Sequence, residues 1–502
     1  MRGYILQPVN KRGPLPSIMT VVVRPDDALG PVRWGGGAVA IGGVGVEVKE
    51  PSEIWALVDS MARDGAAWVV GSDWAVMGGL CEPELHLVNR GYQCVGYVHD
   101  GAPPTIVRYR KGRRSVVLLD AANILSTDTW ASGAGVVEEA ERLGLAMEAW
   151  AALIDKMGWG KLRMTLGSQA MAAYRAQYLT DDIYIHDRAR TLLLERRAYR
   201  GGLIHAFRHG VIRGPVHLVD IRSSYPAVMR QERYPVRAIV HRVGNGISEL
   251  AASMEKGLLV VADYRQRDGV RRQATTPEID IDQIDTLYRW AEYDSAACFT
   301  LFVDAMWAER QRGNQAAKRL SNALYGKWGQ RAYDWEPSQM PLALGVSHVR
   351  HNGVPVRVRW RQGMAQVRID SGEPRLSAPS IAGHITAYGR QAMRRLLSRA
   401  EGHVMLCDTD GMVVDDTGLA AVLDLMGDGL GDVRLVESAS DVEIRGPREY
   451  RIGERWVVAG LPRGSQYQGN GVWDMVTRRT WNTYQETGAP VSRTRKRWGV
   501  KR

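Results

Sequence analysis

Three short segments carry side chains that could catalyse phosphoryl transfer. They are residues 220–226 (DIRSSYP), 318–326 (KRLSNALYG) and 407–411 (CDTDG). The first places a carboxylate after an apolar run, the second places a lysine seven residues before a tyrosine, and the third contains a pair of carboxylates. Such groups could hold two divalent metal ions and neutralise a triphosphate, and two metals stabilise both oxygens of an in-line displacement. The sequence therefore predicts a protein that joins nucleotides.

The first segment predicts a metal-binding carboxylate next to a phosphate-binding turn. Residues 216–219 form a short, mostly apolar run that is typical of a strand, and Asp220 is expected to follow at its end, exposed at the sheet edge. Mg²⁺ prefers one or two protein carboxylates together with phosphate oxygens, so Asp220 suits it. The backbone N–H groups of residues 221–225 could face the phosphates. The alternative is an aspartate that only ends a strand, with Tyr225 in the core.

The second segment is predicted to be the second of two antiparallel helices. Residues 300–326 have helical spacing, interrupted at residues 313–314 (Gly-Asn) by a predicted turn. Three residues share one face at the spacing i, i+4 and i+7: Lys318, Asn322 and Tyr325. Lys318 would give a positive charge to the triphosphate. Arg310 and Arg312 are further cations on the preceding helix, of which we prefer Arg310. The alternative is a solvated charged face.

The third segment is predicted to be the tip of a β-hairpin. Residues 404–406 and 412–414 are apolar and flank residues 407–411. Alternation along a strand sends Asp408 and Asp410 to the same face. Two like charges so close repel each other unless a cation lies between them. We therefore expect a metal ion here, and the alternative is a solvated acidic turn.

The order of the three segments and the residue pattern within each resemble motifs A, B and C of family B DNA polymerases. The branch that the chain most resembles is the short viral and organellar one that includes the protein-primed enzymes. The patterns of that family read roughly D-x-x-S-L-Y-P, K-x-x-x-N-S-x-Y-G and D-T-D-S. Here Ser224, Ala323 and Gly411 replace the usual Leu, Ser and Ser, and none of these replacements removes a charged group. The resemblance implies a DNA-directed DNA polymerase that works by two-metal phosphoryl transfer.

The resemblance also implies roles for individual residues. Asp220, Asp408 and Asp410 would be catalytic and would hold two Mg²⁺ ions, for which Mn²⁺ can substitute. Tyr225 would lie under the incoming sugar and exclude a 2′-hydroxyl. The nucleotide-binding residues would be Ser223, Ser224, Tyr225, Arg310, Lys318, Asn322 and Tyr325.

The expected partners are primer-template DNA, deoxynucleoside triphosphates and a terminal or priming protein. Residues 199–202 (YRGG) resemble the Tyr-x-Gly-Gly linker with which the family follows the template strand. Residues 448–450 (REY) occupy the place of its Lys-x-Tyr segment, which contacts the primer terminus. The DNA-binding residues would be Tyr199, Gly201, Gly202, Gly326, Thr409, Arg448 and Tyr450.

The implied fold is mixed α/β and α+β, a right-hand polymerase with palm, fingers and thumb after an RNase H-like exonuclease-type domain. Alternating strand and helix patterns between residues 17 and about 160 agree with such a domain, and residues 136–157 carry two helical stretches. Residues 331–378 are strand-like and basic, which suggests a hairpin insertion that favours strand displacement. Little room remains between motifs A and B for the insertion that binds terminal protein in protein-primed relatives. The expected domains are residues 1–190 (exonuclease-like), 191–203 (linker), 204–444 (palm and fingers, with the 331–378 insertion) and 445–502 (thumb and basic tail).

The exonuclease carboxylates are missing where the family has them. The first strand is followed by residues 24–27 (RPDD) with no Glu in register, Gly78 stands where a catalytic Asp is expected, and residues 143–147 contain no carboxylate. Since this hydrolysis needs about four carboxylates around two metals, we expect a domain that cannot proofread. The alternative is a set of remnants in another register: Asp26, Asp73 and Glu148.

The composition agrees with a nucleic-acid-binding protein. The 502 residues carry a net charge of +11, which suits a partner covered in phosphates. Four scattered cysteines predict neither a zinc site nor a disulfide framework. We see no signal peptide and no apolar run long enough for a membrane span, so we expect a cytoplasmic protein, in the host cytoplasm if the chain is viral, with no membrane partner.

Two other interpretations of the sequence are open. One is a reverse transcriptase, because those enzymes also carry a palm with paired aspartates, although their pair usually follows an aromatic residue. The other is a non-catalytic nucleic-acid-binding protein derived from a polymerase. A catalytically inactive palm is less consistent with the sequence, which retains Asp220, Lys318, Asp408 and Asp410.

Overall fold

The computed structural model describes most of the chain. The described residues are 3–25, 34–71, 81–98, 106–125, 135–338, 342, 348–351, 354–361, 364–461, 465–469, 472–478 and 491–497. Within these residues, no helix combines the length and the apolar character that crossing a membrane requires.

The amino-terminal domain is built on a mixed seven-stranded sheet. Its strands and helices, after the short β1 (Gly3–Ile5), are β2 (Ser17–Pro25), β3 (Trp34–Ile41), β4 (Val44–Val48), α1 (Pro51–Met61), β5 (Ala66–Gly71), α2 (Pro83–Asn89), β6 (Gln93–Val98), β7 (Ile106–Lys111), β8 (Arg114–Asp120) and α3 (Val136–Lys156). The strand order is β4-β3-β2-β5-β8-β7-β6, in which β2, β5 and β8 are parallel. β3 and β4 are joined by a turn at Gly42 and Gly43, which both have positive φ.

Helices cover both faces of this sheet, because alternate residues of its strands are apolar on each side. Trp55 of α1 packs with Val21 and Leu118 on one face, and Leu143 of α3 packs with Val22 on the other. The prediction of two helical stretches at residues 136–157 was wrong, since α3 is continuous. Gly144 lies within this continuous helix. It lets the helix approach the sheet closely, because a Cβ there would lie only 3.3 Å from Thr20 Oγ1.

A short connecting region joins this domain to the body of the chain that follows it. It consists of α4 (Leu166–Ala173), a π-helical turn (Tyr174–Tyr178), β9 (Tyr184–His186) and α5 (Ala189–Ala198). β9 pairs with β1, so the chain start is tied to the connector. The core is continuous across it, because Met171 and Tyr174 are buried in one cluster with Trp328.

The centre of the body is an antiparallel seven-stranded sheet with the order β10-β20-β21-β11-β22-β23-β24. Its elements are β10 (Leu203–Ala206), β11 (Gly210–Ile221), α6 (Ser224–Gln231), α10 (Pro379–Arg399), β20 (Val404–Thr409), β21 (Gly411–Val414), α11 (Asp416–Ala420), β22 (Val433–Gly446), β23 (Glu449–Ile452) and β24 (Arg455–Val458). The predicted boundary between palm and thumb at residue 444 falls inside β22, and the palm sheet continues to Val458.

Two further structural units occupy the part of the chain between α6 and α10. The first is a four-stranded sheet with one helix, formed by β12 (Tyr234–Val243), α7 (Ile247–Glu255), β13 (Leu259–Gln266), β14 (Arg271–Thr275) and β15 (Ile284–Ala296). The second is the pair of helices α8 (Thr300–Gln311) and α9 (Gln315–Trp328). Gly313 has φ +87° in the turn between these helices, as the sequence predicted.

The strands expected near residues 331–378 form a four-stranded antiparallel sheet. They are β16 (Ala332–Pro337), β17 (His348–His351), β18 (Val354–Arg361) and β19 (Met364–Gly372). The chain ends in a three-stranded sheet of β25 (Gln466–Gly469), β26 (Val472–Arg478) and β27 (Val491–Arg497). Trp456, Tyr467 and Trp473 pack together at ring distances of 4.7 to 5.5 Å, which attaches this last sheet to β24.

Candidate active site

The predicted carboxylates of motifs A and C meet at one end of the central sheet. Asp220 lies near the end of β11, where its backbone is opposite Gly411 of β21. Asp410 is the single residue between β20 and β21, and its carbonyl accepts a 2.8 Å hydrogen bond from the N–H of Ile221. The strand ends therefore bring Asp220 and Asp410 next to each other, although the sequence separates them widely.

The proximity of these acids changes the acidity of Asp410. Burial raises the pKa of its carboxyl to about 6, and the negative charges of Asp220 and Asp408 raise it as well. Repulsion between like charges costs free energy that a cation between them would recover. The electrostatics of the hairpin tip therefore favour a bound cation.

Gly411 explains one departure from the family pattern. A Cβ at this position would lie 3.1 Å from the carbonyl oxygen of Val219 and 3.5 Å from Cβ of Asp220. The glycine thus allows the hairpin to lie closely against the strand that carries Asp220. The hairpin turn also requires a positive φ of 69° at Thr409, whose hydroxyl donates a 3.1 Å hydrogen bond to Asp408.

An arginine that no motif predicted binds the first carboxylate. Arg434 of β22 lies directly opposite Asp220 in the strand register. Its Nε and Nη2 donate hydrogen bonds of 2.6 and 2.7 Å to the two carboxylate oxygens of Asp220. These hydrogen bonds raise the pKa of Arg434. Nothing in the local sequence marks Arg434, because its role depends on strand pairing across the sheet.

The carboxylates suit Mg²⁺ in their chemistry. Among the residues that the structure describes, no three His, Cys, Asp or Glu side chains are close enough to form a complete metal site. Mg²⁺ does not need such a cage, because it is usually bound by one or two carboxylates together with substrate phosphates and water. Asp220 and Asp410 are two hard oxygen donors with the charge repulsion that a divalent ion relieves. The residues present therefore fit the metal.

The start of α6 forms a polar turn near these acids. Ser223 has a left-handed conformation, with φ +50°, and its hydroxyl accepts a 2.6 Å hydrogen bond from Nη1 of Arg310. The structure thus places the arginine that we preferred on α8 against motif A. Ser224 is buried at the first helical position. Arg222 donates hydrogen bonds to the Gly427 carbonyl and to Asp428.

Three predicted tyrosines from distant segments come together. The rings of Tyr225 and Tyr325 are tilted at a centroid distance of 4.5 Å. Burial raises the pKa of Tyr199, and the neighbouring Tyr325 contributes to the shift. Tyr199 also packs over Gly329 at the end of α9, where a Cβ would lie 2.5 Å from its ring. The linker, motif A and motif B therefore share one aromatic contact region.

The helix face with Tyr325 includes the other predicted residues of motif B. Lys318 and Asn322 are exposed, and Asn322 Nδ2 donates a 3.0 Å hydrogen bond to the Lys318 carbonyl. Because Tyr325 contacts motif A, the face that carries Lys318 is directed towards motif A. Gly326 is also exposed, with open space where a Cβ would stand.

The Tyr-x-Gly-Gly linker is fixed to motif C and to α10. A Cβ at Gly202 would lie 2.6 Å from Thr409, so glycine is required at this approach, whereas Gly201 faces open space. The guanidinium of Arg390 donates hydrogen bonds to the carbonyls of Arg200 and Gly201, at 2.9 and 2.6 Å. Arg390 is itself 5% exposed and forms an ion pair with buried Glu278. This anchor was not predicted from the sequence.

The predicted primer-contacting segment has two different environments. Arg448 is exposed, and its Nε donates a 3.2 Å hydrogen bond to Asp408. Tyr450 is only 5% exposed and packs in the palm core with Val216 and Met405. Arg448 is therefore near motif C, whereas Tyr450 offers little surface to a ligand in this state.

Comparisons with known proteins agree with this geometry. Residues 160–291 match the family model for DNA polymerase type B, organellar and viral. A DNA-directed DNA polymerase of Enterobacteria phage PRD1 is 24% identical over 279 residues, which are 51% of this chain and 49% of that protein. The match thus spans about half the length of this relative.

The fold is that of a solved polymerase. The Phi29 DNA polymerase complexed with primer-template DNA and incoming nucleotide has a TM-score of 0.70 at 12% identity, covering 97% of this chain and 100% of that one. Its binary complex with primer-template DNA gives a TM-score of 0.67 with the same coverage. The comparisons confirm the resemblance to family B DNA polymerases and the predicted right-hand fold with an exonuclease-type domain.

Proposed function

We propose that this chain is a DNA-dependent DNA polymerase that adds deoxynucleotides to a primer. The observation that carries the proposal is the meeting of Asp220 and Asp410 at the ends of paired strands, beside the turn bound by Arg310. The strand register, the 2.8 Å backbone hydrogen bond and the raised pKa of Asp410 support it. The polymerase name of the phage PRD1 relative supports the same activity.

In this proposal each group of residues has one task. Asp220 and Asp410 hold the divalent ions, with Asp408 as a secondary ligand. When bound, Mg²⁺ would stabilise the charge on the attacking and leaving oxygens. Arg310 and Lys318 bind the triphosphate, and the N–H groups of residues 223–225 contribute to the same anion site. The N–H groups of Ile221 and Arg222, which the sequence also assigned to this site, instead donate to the carbonyls of Asp410 and Asp432. Asn322 and Tyr325 pack against the new base pair.

The remaining residues would position the DNA. The linker at residues 199–202 follows the template strand, and Arg448 lies where it can contact the primer end. The basic sheet of residues 332–372 is proposed to surround the DNA and favour strand displacement, since Arg357 is exposed on it. The amino-terminal domain is proposed to act as a brace without proofreading.

Primer extension on one template tests the function. We expect Mg²⁺-dependent extension by the wild-type protein and its loss in Asp220→Asn and Asp410→Asn, while DNA binding survives, because the backbone is held mainly by Lys and Arg. Asp424→Asn is a matched control, because Asp424 is an exposed acid paired with Arg399. Near-normal extension by either active-site variant would contradict the assignment.

Two further arms separate the alternatives. An RNA template with both sugar types distinguishes a reverse transcriptase, and DNA binding without any extension by the wild-type protein would indicate a non-catalytic relative. The same assay without a primer tests whether a terminal or priming protein is needed to begin synthesis.

A further inference from the structure

Three arginines from separate elements lie near one another at this site: Arg222, Arg310 and Arg434. Burial lowers the pKa of Arg310, and the charges of Arg222 and Arg434 lower it further, which reflects their proximity. Their partners differ. Arg222 binds the exposed Asp428, Arg310 binds the neutral hydroxyl of Ser223, and Arg434 binds Asp220.

The pair formed by Arg434 conflicts with metal binding. The guanidinium occupies both carboxylate oxygens of Asp220 in a bidentate arrangement, at 2.6 and 2.7 Å. A divalent ion held by Asp220 needs at least one of these oxygens. The ion and the guanidinium therefore compete for the same atoms, and the guanidinium must give up at least one hydrogen bond when the ion binds.

We propose that Arg434 is an exchangeable counter-ion, which neutralises Asp220 in the metal-free protein and transfers its charge to the triphosphate when a divalent ion takes the carboxylate. The second half of this inference rests on the proposed polymerase function. The side chain of Arg434 is 40% exposed, so it is not fixed by packing. Once released, it joins Arg222 and Arg310 in a group of three positive charges, which attracts a ligand with several negative charges.

Titration of the full-length protein with Mn²⁺ alone, followed by electron paramagnetic resonance, tests the first half. We expect Arg434→Gln to bind Mn²⁺ about tenfold more tightly than the wild type, because a competing cation is removed. Structural damage would have the opposite effect. Arg434→Lys keeps the positive charge but lacks the two-nitrogen guanidinium, so it should tighten Mn²⁺ binding less than Arg434→Gln does.

Two controls make the Mn²⁺ result specific. Arg399→Gln removes another arginine paired with an aspartate, whose Nη2 contacts both carboxylate oxygens of Asp424, and should leave Mn²⁺ affinity unchanged. In an Asp220→Asn background, Arg434→Gln should no longer tighten binding. Equal or weaker binding of Mn²⁺ by Arg434→Gln than by the wild type would overturn the proposal.

Steady-state primer extension tests the transfer to the nucleotide. We expect Arg434→Gln to raise the KM for deoxynucleotides roughly tenfold, since it removes a charge from the phosphate site. An unchanged KM with tighter Mn²⁺ binding would overturn the transfer and leave the counter-ion role supported. A wild-type protein that does not extend primers would contradict the polymerase function, whereas the Mn²⁺ titration would still decide the competition at Asp220.

Discussion

The ring of Tyr225 lies directly against the backbone of Gly389 on helix α10. A Cβ at Gly389 would be only 2.8 Å from Cε1 of the tyrosine, closer than side chains normally approach. The same ring contacts Tyr325, with 4.5 Å between the ring centroids. Tyr225 therefore contacts both a glycine of the palm and a tyrosine of the finger helix, and neither contact could be read from the motif itself.

The first prediction concerns the choice of sugar. Tyr225→Ala or Tyr225→Val should raise the incorporation of ribonucleotides relative to deoxyribonucleotides, because the ring expected under the 2′ position is removed. The ratio of the two kcat/KM values in primer extension measures the effect. An unchanged ratio would show that Tyr225 is only a packing residue.

The second prediction is that Gly389→Ala raises the KM for deoxynucleotides by up to about tenfold. The added methyl group must displace the ring of Tyr225, and small displacements at a reacting site have large kinetic effects. Single-nucleotide addition over a range of nucleotide concentrations measures this change, with kcat recorded separately.

Two variants test whether the Gly389 effect acts through Tyr225. Gly389→Ala should have no further effect in a Tyr225→Ala background. Gly383→Ala lies on the same helix, where a Cβ would make only ordinary contacts, at 3.4 Å from Thr275 and 3.7 Å from Tyr199, and it should leave the KM for deoxynucleotides unchanged. A full effect in the double variant would mean that Gly389 acts by another route.

The third prediction concerns stability and pH at Glu278. Burial alone would raise its pKa, but the guanidinium groups of Arg390, Arg200 and Arg394 outweigh burial and lower the pKa from 4.5 to about 2. Because the folded pKa is below the unfolded one, the ionised carboxylate stabilises the fold above pH 4.5, and this contribution is lost as the pH falls towards 2. Glu278→Gln should therefore lower the free energy of unfolding at pH 7, by about 3 kcal/mol at most.

Denaturant unfolding at pH 7 and at pH 4 checks this sign, since the loss should be smaller at the lower pH. Glu138→Gln is the matched control, because Glu138 forms an exposed i,i+4 pair with Arg142, worth roughly 0.3–0.5 kcal/mol. Glu278→Gln should also weaken template binding, because Arg390 holds the linker carbonyls. A loss that grows at low pH would contradict the ion-pair explanation.

The sequence predicted those parts of the site that depend on local patterns. The helix spacing of Lys318 to Tyr325, the glycine turn before it and the hairpin around Asp408 are all present, because each rests on short-range geometry. Arg434, Arg390 and Gly389 were missed. Each acts through a contact across a sheet or between helices, and a single sequence contains no information on strand register.

Strand pairing also bears on the boundary predicted at residue 444, which lies within β22. The palm sheet extends past residue 444 because β23 and β24 continue the pairing that begins with β22. Trp456 and Trp473 could not be assigned from the sequence, and the structure packs them against each other and Tyr467. A sequence does not distinguish an aromatic residue that packs in a core from one that contacts a ligand at the surface. Only the packing in the structure distinguishes the two roles.

The last prediction is that the protein extends primers but does not shorten a 3′ end. In the amino-terminal domain, the hydroxyl of Thr20 on β2 donates a 2.7 Å hydrogen bond to the Ala140 carbonyl of α3. Gly144 packs against the same threonine. Helix α3 thus lies directly on β2, where a two-metal hydrolytic site would need carboxylates and space for the phosphate.

The remaining acids of this domain do not supply such a site in the described residues. Asp120 at the end of β8 accepts a 2.9 Å hydrogen bond from the N–H of Ala122, and Glu148 is on the exposed side of α3. Asp26 and Asp73 lie outside the described residues, as does Gly78. Without carboxylates on both sides of the phosphate, neither ion would be held and the attacking water would not be activated.

Incubation of the pure protein with a labelled single strand, in Mg²⁺ or Mn²⁺ and without nucleotides, measures this activity. We expect no 3′ shortening under conditions in which the same preparation extends a primer, and a proofreading polymerase run in parallel is the positive control. Asp26→Asn, Asp73→Asn and Glu148→Gln identify any hidden site. Steady shortening that disappears in one of these variants would show that the carboxylates occupy another register, and the domain would then be an exonuclease and not only a brace for the palm.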